Sequence, residues 1–361
     1  MDLPLLWFGL IAVLWAGYFV LEGFDFGVGM LLRTFARDER ERRVLLRTIG
    51  PVWDGNEVWL LTAGGATFAA FPEWYATMFS GFYLPLLIIL LALIVRVCAL
   101  EWRAKINDVR WRNRWDVALT FGSWVPALLW GVAFANLVQG MEIEVIDGNH
   151  QLTGGFFSLL TPFTLLGGAM TLLLFLTHGT VFVALKTAGE VHDRAATLAK
   201  RLAVPSAAVV VVWLLWAQLL FSDNLVSLVP LALAAAGVLG AIAATLRERD
   251  GWAFVLHAVA ILAVVGFMFT AMFPHVMPSS LDPSASLSIA GAAASPATLT
   301  VMSIVALFFV PVVLGYQGWT YWVFRKRVWA SDIVGDEGLH PSDVRTFEDA
   351  AAPTAPGPEA R

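Results

Sequence analysis

Long apolar runs constrain this chain more than any other feature of its sequence. An α-helix needs about 20 mostly apolar residues to cross the hydrocarbon core of a bilayer, and nine stretches of that kind follow one another. They cover 4–32, 51–71, 76–100, 115–138, 156–185, 202–221, 225–246, 252–273 and 299–324. Lipid offers the backbone no hydrogen-bond partners, and barrel strands would be about 10 residues long with alternating polarity. Each run is therefore predicted to be a transmembrane helix.

The composition agrees with a membrane protein. Hydrophobic residues make up 58% of the chain and charged residues 14%, whereas a soluble domain carries roughly 25% charge. No basic stripe points to a nucleic-acid partner. The start, MDLPLLWFG, has an acid at Asp2 and no basic region, which favours an uncleaved span over a signal peptide. The single cysteine, Cys98, excludes an internal disulfide and a thiolate metal cluster.

Lysine and arginine predict the orientation of the spans. They follow the first, third, fifth, seventh and ninth stretches, whereas the loops 72–75, 139–155, 222–224 and 274–298 contain neither residue. Positive residues collect on the cytoplasmic side of membrane proteins. The N-terminus is therefore predicted outside and the C-terminus in the cytoplasm.

The predicted fold is an all-α integral membrane protein of nine transmembrane helices, arranged as two four-helix bundles and one additional helix. LEGFDF at 21–26 and THGTVF at 177–182 form a weak internal repeat that would relate the two bundles. The loop 274–298 is rich in Pro, Ser and Ala and is predicted to be irregular. The predicted segments are a first bundle at 1–140, an outer loop at 141–155, a second bundle at 156–273, an outer loop at 274–298, a ninth helix at 299–330 and a disordered cytoplasmic tail at 331–361.

Ionisable residues within the predicted spans concentrate in the first four. Each costs about 2.5–3.5 kcal/mol at a helix centre and is a functional candidate by default. At about 1.5 Å per residue, Asp25 and Arg96 lie roughly 10–12 Å inside the cytoplasmic boundary. One interpretation is that Arg96 pairs with an acid only to lock helices together. The other, favoured by the number of staggered acids, is a hydrated path that carries protons inward from the cytoplasm. Its candidate residues are Glu22, Asp25, Asp54, Glu57, Arg96 and Asp116.

Two histidines also fall within predicted spans. His178 and His257 each lie eight residues from a basic boundary residue. An intramembrane histidine can ligate haem or relay protons, but no second strong axial ligand is evident, so hydrogen-bonded core histidines are favoured. His275 lies at the outer end of the eighth stretch, and the roles of all three stay open. The chain has no P-loop, GxGxxG, HExxH or nucleophile elbow, so no catalytic residue is assigned.

Six motifs together carry a family resemblance. The chain resembles subunit II of the cytochrome bd-type quinol oxidases, a family with nine helices and an outer N-terminus. The motifs are EGFDFGVGM (22–30), PVWDGNEVWLLTAGGATFAAFP (51–72), SGFYLPL (80–86), VRWRNRWD (109–116), GVAFANLVQG (131–140) and MFPHVMPSS (272–280).

The resemblance implies a function that composition cannot reveal. In that family the complex lies in the bacterial cytoplasmic membrane, oxidises quinol and reduces O2 to water. It generates a membrane potential without pumping protons. Haems b and d belong to subunit I, with which this chain would form a heterodimer, and this chain would ligate no haem or metal. The resemblance also implies a small single-span accessory subunit and a quinone-like lipid in the pocket that mirrors the haem site. Ubiquinol and menaquinol are not distinguished.

The resemblance also assigns roles to individual residues. Asp25, Asp54, Arg96 and Asp116 match the family's membrane acids and arginine on a hydrophilic proton path. Trp59 matches the bulky residue near the route for O2. Glu22 and Glu57 stand where the relatives carry an acid and an amide; either they add acidity to the same path or these positions tolerate substitution, and the sequence does not distinguish the two.

Two rival readings stay open on the sequence alone. Intramembrane acids and a repeat also fit a secondary transporter, although transporter sites usually involve broken helices in both halves. A purely structural subunit that supports subunit I and conducts nothing is the second rival.

Overall fold

The structure of the protein, a computed structural model, describes residues 2–335 and 337–343. Within that range the chain is almost wholly helical, with two short hairpins. The helices are α1 (Leu3–Thr34), α2 (Glu39–Ile49), α3 (Trp53–Ala70), α4 (Pro72–Gly81), α5 (Tyr83–Trp102), α6 (Val109–Gln139), α7 (Pro162–Lys186), α8 (Glu190–Leu220), α9 (Leu228–Leu246), α10 (Asp250–Met272), α11 (Ile289–Ala292) and α12 (Pro296–Val323). The strands are β1 (Ile143–Ile146), β2 (Asn149–Leu152), β3 (His275–Met277) and β4 (Leu287–Ser288).

Polar caps set where several helices begin. The first helix starts after Asp2, whose carboxylate accepts a hydrogen bond from the Leu5 amide at 3.2 Å. Asp108 caps α6 in the same way, at 2.7 Å from the Trp111 amide. Side-chain caps of this type satisfy amide groups that have no partner within the helix.

Eight helices of the described residues are long and apolar enough to cross a membrane, which makes the chain a multi-pass membrane protein. They are α1, α5 as extended to Lys105, α6, α7, α8, α9 as extended from Leu225, α10 and α12. The prediction of nine is not confirmed. The second predicted stretch does form a helix, α3, of 18 residues. Its first two turns contain Asp54, Asn56 and Glu57, which lower the mean hydropathy of the helix. The third predicted stretch is divided, because α4 ends at Gly81 before α5 begins.

The first helix occupies the centre of the molecule. It packs against α3, α6, α7 and α10, while α5 packs on α6. The crossing of α1 and α7 is close because glycines meet there: a Cβ on Gly27 would lie 2.6 Å from Gly179 Cα. The helices α7, α8, α9 and α10 pack on one another in chain order. On α12, by contrast, only Leu299 is buried.

Ion pairs gather the arginine-rich loops at one end of the molecule. Arg194, at the start of α8, pairs with Glu41 at 2.6 Å, and so joins the segments that follow α7 and α1. Arg327, which follows α12, pairs with Asp250 at the start of α10 at 2.8 Å. We call this end of the molecule the arginine-rich end.

The opposite end carries both hairpins. In the segment 141–155, β1 pairs with β2. In 274–298, β3 pairs with β4 and α11 follows, so this segment is not irregular as predicted. The Met141 amide donates to the Pro278 carbonyl at 2.9 Å and joins the two segments.

The start of the predicted tail packs on the arginine-rich end. We call residues 325–335 and 337–343 the C-terminal strap. Its Val328 amide donates to the Lys186 carbonyl at 2.8 Å, and its Leu339 amide donates to the Lys105 carbonyl at 2.9 Å. Arg43 on α2 reaches the Gly335 carbonyl at 2.7 Å. Disorder is predicted from residue 331 onward, whereas residues 331–335 and 337–343 pack on the rest of the molecule. Residues 344–361 of that prediction lie outside the described residues.

Candidate functional site

A buried ion cluster lies where α1, α3 and α5 meet. Arg96 on α5 pairs with Glu22 on α1, and both side chains are fully buried. Glu57 on α3 lies 3.8 Å from the same Arg96 Nη1, and 18% of its side chain is exposed. The Phe26 ring lies under the guanidinium, 4.9 Å from it. Two carboxyl groups thus share one guanidinium at the centre of the molecule.

Small residues allow the helices to approach so closely here. A Cβ on Gly122 of α6 would lie 2.7 Å from Arg96 Cβ, so α5 and α6 touch through a glycine. Such close contacts between helix backbones are typical of membrane helix packing.

A third carboxyl group, that of Asp25, lies one turn along α1 from Glu22 and is also fully buried. Its Oδ2 accepts a hydrogen bond from Asn56 Nδ2 at 2.6 Å. The Asn56 oxygen accepts from Tyr321 Oη at 2.7 Å and from Gln317 Nε2 at 3.1 Å, both on α12. We call Glu22, Asp25, Asn56, Glu57, Arg96, Gln317 and Tyr321 the carboxylate cluster.

Several buried polar atoms of the cluster have no hydrogen-bond partner among the described residues. They include Asp25 Oδ1 and the Nε and Nη2 atoms of Arg96. Buried polar groups in native proteins are almost always hydrogen-bonded, to protein or to ordered water. These atoms therefore keep hydrogen-bonding capacity that the described residues of the cluster do not satisfy.

A groove of about 530 Å³ between α3 and α12 lies beside the cluster. Asp54 is exposed and lines this groove together with Trp59 and Gln317. Asp54 and Glu57 are three residues apart on α3 and so lie on the same side of the helix. Trp59 also packs its ring against Gly17 of α1. Asp54 and Trp59 thus line the groove, whereas Glu57 reaches the cluster.

Asp116 belongs to a different network, at the arginine-rich end. Its Oδ1 accepts from Arg103 Nε at 2.5 Å, and its Oδ2 lies 3.3 Å from Arg42 Nη1. Arg103 also binds Glu39 at 2.7 Å. Asp116 lies six residues before Gly122, which places it about 9 Å along α6 from the level of Arg96. The structure therefore separates Asp116 from the other predicted path residues.

The two membrane histidines stack on each other. The rings of His178 and His257 are 5.2 Å apart at 12°, and Phe254 stacks on His178 at 4.6 Å. His178 Nε2 lies 3.2 Å from the Val20 carbonyl oxygen. Because the rings lie face to face rather than across an open space, the pair does not fit a haem iron between them. His275 is separate and lies in β3.

An apolar cavity of about 500 Å³ lies between α3, α4 and α5. Leu60, Phe79, Leu86 and the rings of Trp15 and Trp130 line it. Trp130 Nε1 lies 3.2 Å from the oxygen of fully buried Tyr18. Tyr18 precedes Glu22 by one helical turn, so the cavity and the carboxylate cluster are connected through adjacent side chains.

Four polar residues at the site were not predicted as site residues. Asn56 stands within the quoted motif at 51–72, between Asp54 and Glu57. Gln317 and Tyr321 are polar residues four apart in the apolar ninth stretch, a pattern that could have signalled them. Tyr18 could have been found by its four-residue spacing from Glu22.

Comparison with known proteins identifies the family of this chain. The family model for cytochrome bd terminal oxidase subunit II matches residues 3–324. The chain belongs to that family. Subunit II proteins form part of a respiratory oxidoreductase complex, and membership implies haems in a partner subunit I. No cluster of three or more metal-ligating side chains occurs in 2–335 and 337–343.

Individual relatives of this subunit II cover almost its whole length. Cytochrome bd ubiquinol oxidase subunit 2 of Bacillus subtilis (strain 168) is 43% identical over 330 residues, with 90% of this chain and 96% of the relative covered. Cytochrome bd-I ubiquinol oxidase subunit 2 of Escherichia coli (strain K12) is 38% identical over 366 residues, covering 92% and 96%. The structure of bd oxidase from Geobacillus thermodenitrificans matches with a TM-score of 0.73 at 15% identity, over 90% of this chain and 99% of that one. This last likeness supports the fold alone.

Proposed function

We propose that this chain is the subunit of a quinol-oxidising, O2-reducing complex that binds no haem and delivers protons. Its place would be the bacterial cytoplasmic membrane, beside a haem-bearing subunit I and a small single-span accessory subunit. The names of the relatives, ubiquinol oxidase subunits, support a quinol as the electron donor. The distribution of Lys and Arg supports a cytoplasmic arginine-rich end and an outer N-terminus.

The observation that carries the proposal is the charge content of the carboxylate cluster. Glu22 and Glu57 share the single guanidinium of Arg96, and the fully buried Asp25 lies one turn along α1 from Glu22. One ion pair would be enough to lock α1 to α5, so the remaining carboxyl groups exceed what helix packing requires. Carboxyl groups within hydrogen-bond or water-mediated reach of one another are the usual parts of a membrane proton relay.

The proposed path starts in the groove between α3 and α12. Protons would pass from Asp54 to Glu57, one turn further along α3, and then to the pair of Glu22 and Arg96. Asp25 would exchange protons with the same cluster from its neighbouring position on α1. Uptake from the cytoplasm would allow the reduction of O2, which consumes four protons per molecule, to generate a membrane potential without proton pumping.

Three further assignments rest chiefly on the resemblance. Asp116 would act where protons approach from the arginine-rich end, and Trp59 would border the route for O2. A quinone-like lipid would occupy the apolar cavity beside Trp15 and Trp130, whose volume and lining suit a prenylated ring.

The test uses the complete complex with Asp25→Asn and Asp54→Asn as separate substitutions. We expect slower O2 reduction with an unchanged haem spectrum, because an amide cannot take up a proton at neutral pH. Glu101→Gln, at an exposed carboxylate near the end of α5, serves as the control and should leave turnover unaltered.

The outcomes separate the rival functions. Normal turnover in both substituted complexes would favour a purely structural subunit, and loss of haem would show that the aspartates support assembly instead. A chain that purifies without any haem-bearing partner, yet moves a solute across vesicles, would be a transporter.

A further inference from the structure

The Asn56 amide is held in a single orientation. Its oxygen accepts from both Tyr321 Oη and Gln317 Nε2, and its nitrogen donates to Asp25. An amide nitrogen cannot accept a hydrogen bond. Asn56 Nδ2 also lies 3.4 Å from the Leu21 carbonyl oxygen, so turning the group over would place its oxygen against a backbone acceptor and remove the donor from Asp25. The Tyr321 and Gln317 donors on the other side stabilise the same orientation.

The two α12 side chains reach Asn56 because α12 lies close to α3 at this level. A Cβ on Gly55 would lie 3.3 Å from Gln317 Oε1. Gln317 and Tyr321 are four residues apart and so project from the same side of α12. Nearer its other end, α12 is attached to α1 through Trp7 Nε1, which donates to Ser303 Oγ at 3.0 Å.

We infer that Tyr321 and Gln317 are positioning residues for Asp25, which hold the Asn56 amide so that it donates to the carboxylate and thereby set the pH range of proton uptake. The inference rests on the proposed function of Asp25. A hydrogen bond donated to a carboxylate favours its ionised form. The Asn56 amide therefore affects the pH at which Asp25 gives up its proton.

Other charged and titratable groups face Asp25 from the neighbouring helices and stay constant in the test. They are Glu22 on α1, Glu57 on α3 and Arg96 on α5. Tyr321 on α12 also faces Asp25 and is the one titratable group that the test replaces. On α7, His178 directs Nε2 toward the Val20 carbonyl, and His257 of α10 stacks on its ring.

The test is the pH dependence of O2 consumption by the complete complex carrying Tyr321→Phe together with Gln317→Leu. Loss of the amide hydrogen bond should move the alkaline limb of the profile to higher pH by about 1 unit. The haem spectrum should stay unchanged. Trp319→Phe is the control, because Trp319 lies on α12 between Gln317 and Tyr321, is 60% exposed and does not line the groove beside Asp54.

Each outcome bears on the inference separately from the proposed function. An unshifted profile, in a complex whose turnover still falls with Asp25→Asn, overturns the inference and leaves the proton path standing. Normal turnover with Asp25→Asn overturns both. If the double substitution prevents assembly, Tyr321→Phe alone is compared with Trp319→Phe, and an equal profile in the two counts against the inference.

A second groove, of about 400 Å³, lies between α9 and α10 at the arginine-rich end. Its floor consists of Gly240, Ala243 and Ala244, whose small side chains leave a channel between the helices. Leu256 and Trp252 form its other side, and Trp252 is 60% exposed.

Two arginines stand at the rim of this groove. Arg247 and Arg249 are exposed and form no ion pair within the described residues. The acids beside them are engaged elsewhere: Glu248 binds Lys200 at 2.8 Å, and Asp250 binds an arginine of the C-terminal strap. Glu248 has a positive φ of 58°, which for a residue other than glycine is strained.

From this second groove we infer a phospholipid site, in which the two arginines bind the phosphate and an acyl chain lies along the apolar floor. Interfacial Lys and Arg attract anionic lipid by about 1 kcal/mol each. A tryptophan at the same level is typical of the membrane interface.

The test measures phosphatidylglycerol and phosphatidylcholine retained by the detergent-purified complex, by native mass spectrometry. Arg247→Gln with Arg249→Gln should reduce retained phosphatidylglycerol roughly tenfold, and Ala243→Leu should reduce retention of both lipids by filling the floor. Arg110→Gln, an exposed arginine elsewhere at the same end, is the control. Lipid retention equal to that of the Arg110→Gln control would overturn the site. Displacement of the bound lipid by inorganic phosphate, with no effect of Ala243→Leu, would also overturn it, because that result indicates a site for a free anion.

Discussion

Arg96→Met removes the guanidinium that Glu22 and Glu57 share. Glu22 is fully buried and has no other cation beside it in the described part of the chain, so it is left as an unpaired buried charge. Glu57 is 18% exposed and can recover hydration. Breaking a buried ion pair on one side costs about 3–5 kcal/mol, whereas replacing both partners is often nearly neutral. Loss of the contact with the Phe26 ring adds about 0.5–2 kcal/mol.

The assay is the Tm of the haem-containing complex in detergent, at a fixed heating rate because membrane complexes unfold irreversibly. At about 2 °C per kcal/mol, the lower end of the scale for domains of 150–250 residues, the two losses together should lower the Tm of Arg96→Met by about 7–14 °C. Adding Glu22→Gln should restore several degrees, since the fully buried Glu22 charge is then removed together with its partner and the ring contact is lost equally in both proteins.

Equal Tm values for the single and double substitutions would refute this reasoning. Glu22 would then not be the charged partner of Arg96, and the centre of the carboxylate cluster would have to be assigned to Glu57 or Asp25 instead. Glu22→Gln alone completes the thermodynamic cycle and isolates the coupling between the two groups.

Two further substitutions test the packing at the core and at the arginine-rich end. Gly27→Ala sets a methyl group against the Phe175 carbonyl and should reduce the yield of haem-containing complex severalfold, whereas Gly65→Ala, with open space around it, should change neither yield nor Tm by much. Asp116→Asn breaks the buried pair with Arg103 and should lower the free energy of unfolding by about 3 kcal/mol, measured as faster proteolysis of the loops at that end; unaltered cleavage would show that this network is not structural.

Much of the fold could be predicted because lipid restricts the choices. Apolar length and the backbone's need for internal hydrogen bonds leave little besides helices. The helix at 53–70 was harder to assign, since the same polar residues that mark the site also lower its hydropathy. The division of the third stretch at Phe82 and the hairpins of the outer segments depend on local packing that periodicity does not report.

The site was predicted only in part because its partners are distant in sequence. Glu22, Glu57 and Arg96 could be grouped from depth along their helices, since depth follows from counting residues. The contact of Asn56 with Tyr321 spans 265 residues, and no spacing rule links them. Asp116 has a suitable position in its span, but Arg103 and Arg42 bind it in a separate network at the arginine-rich end.

The C-terminal strap has a consequence for the order in which the molecule is completed. Its residues leave the ribosome after all eight candidate spans, yet they bind α2, the segment between α5 and α6, and the turn between α7 and α8. Until the strap emerges, the loops at this end lack those backbone partners. The helices can therefore insert in the membrane before the strap joins the loops at this end.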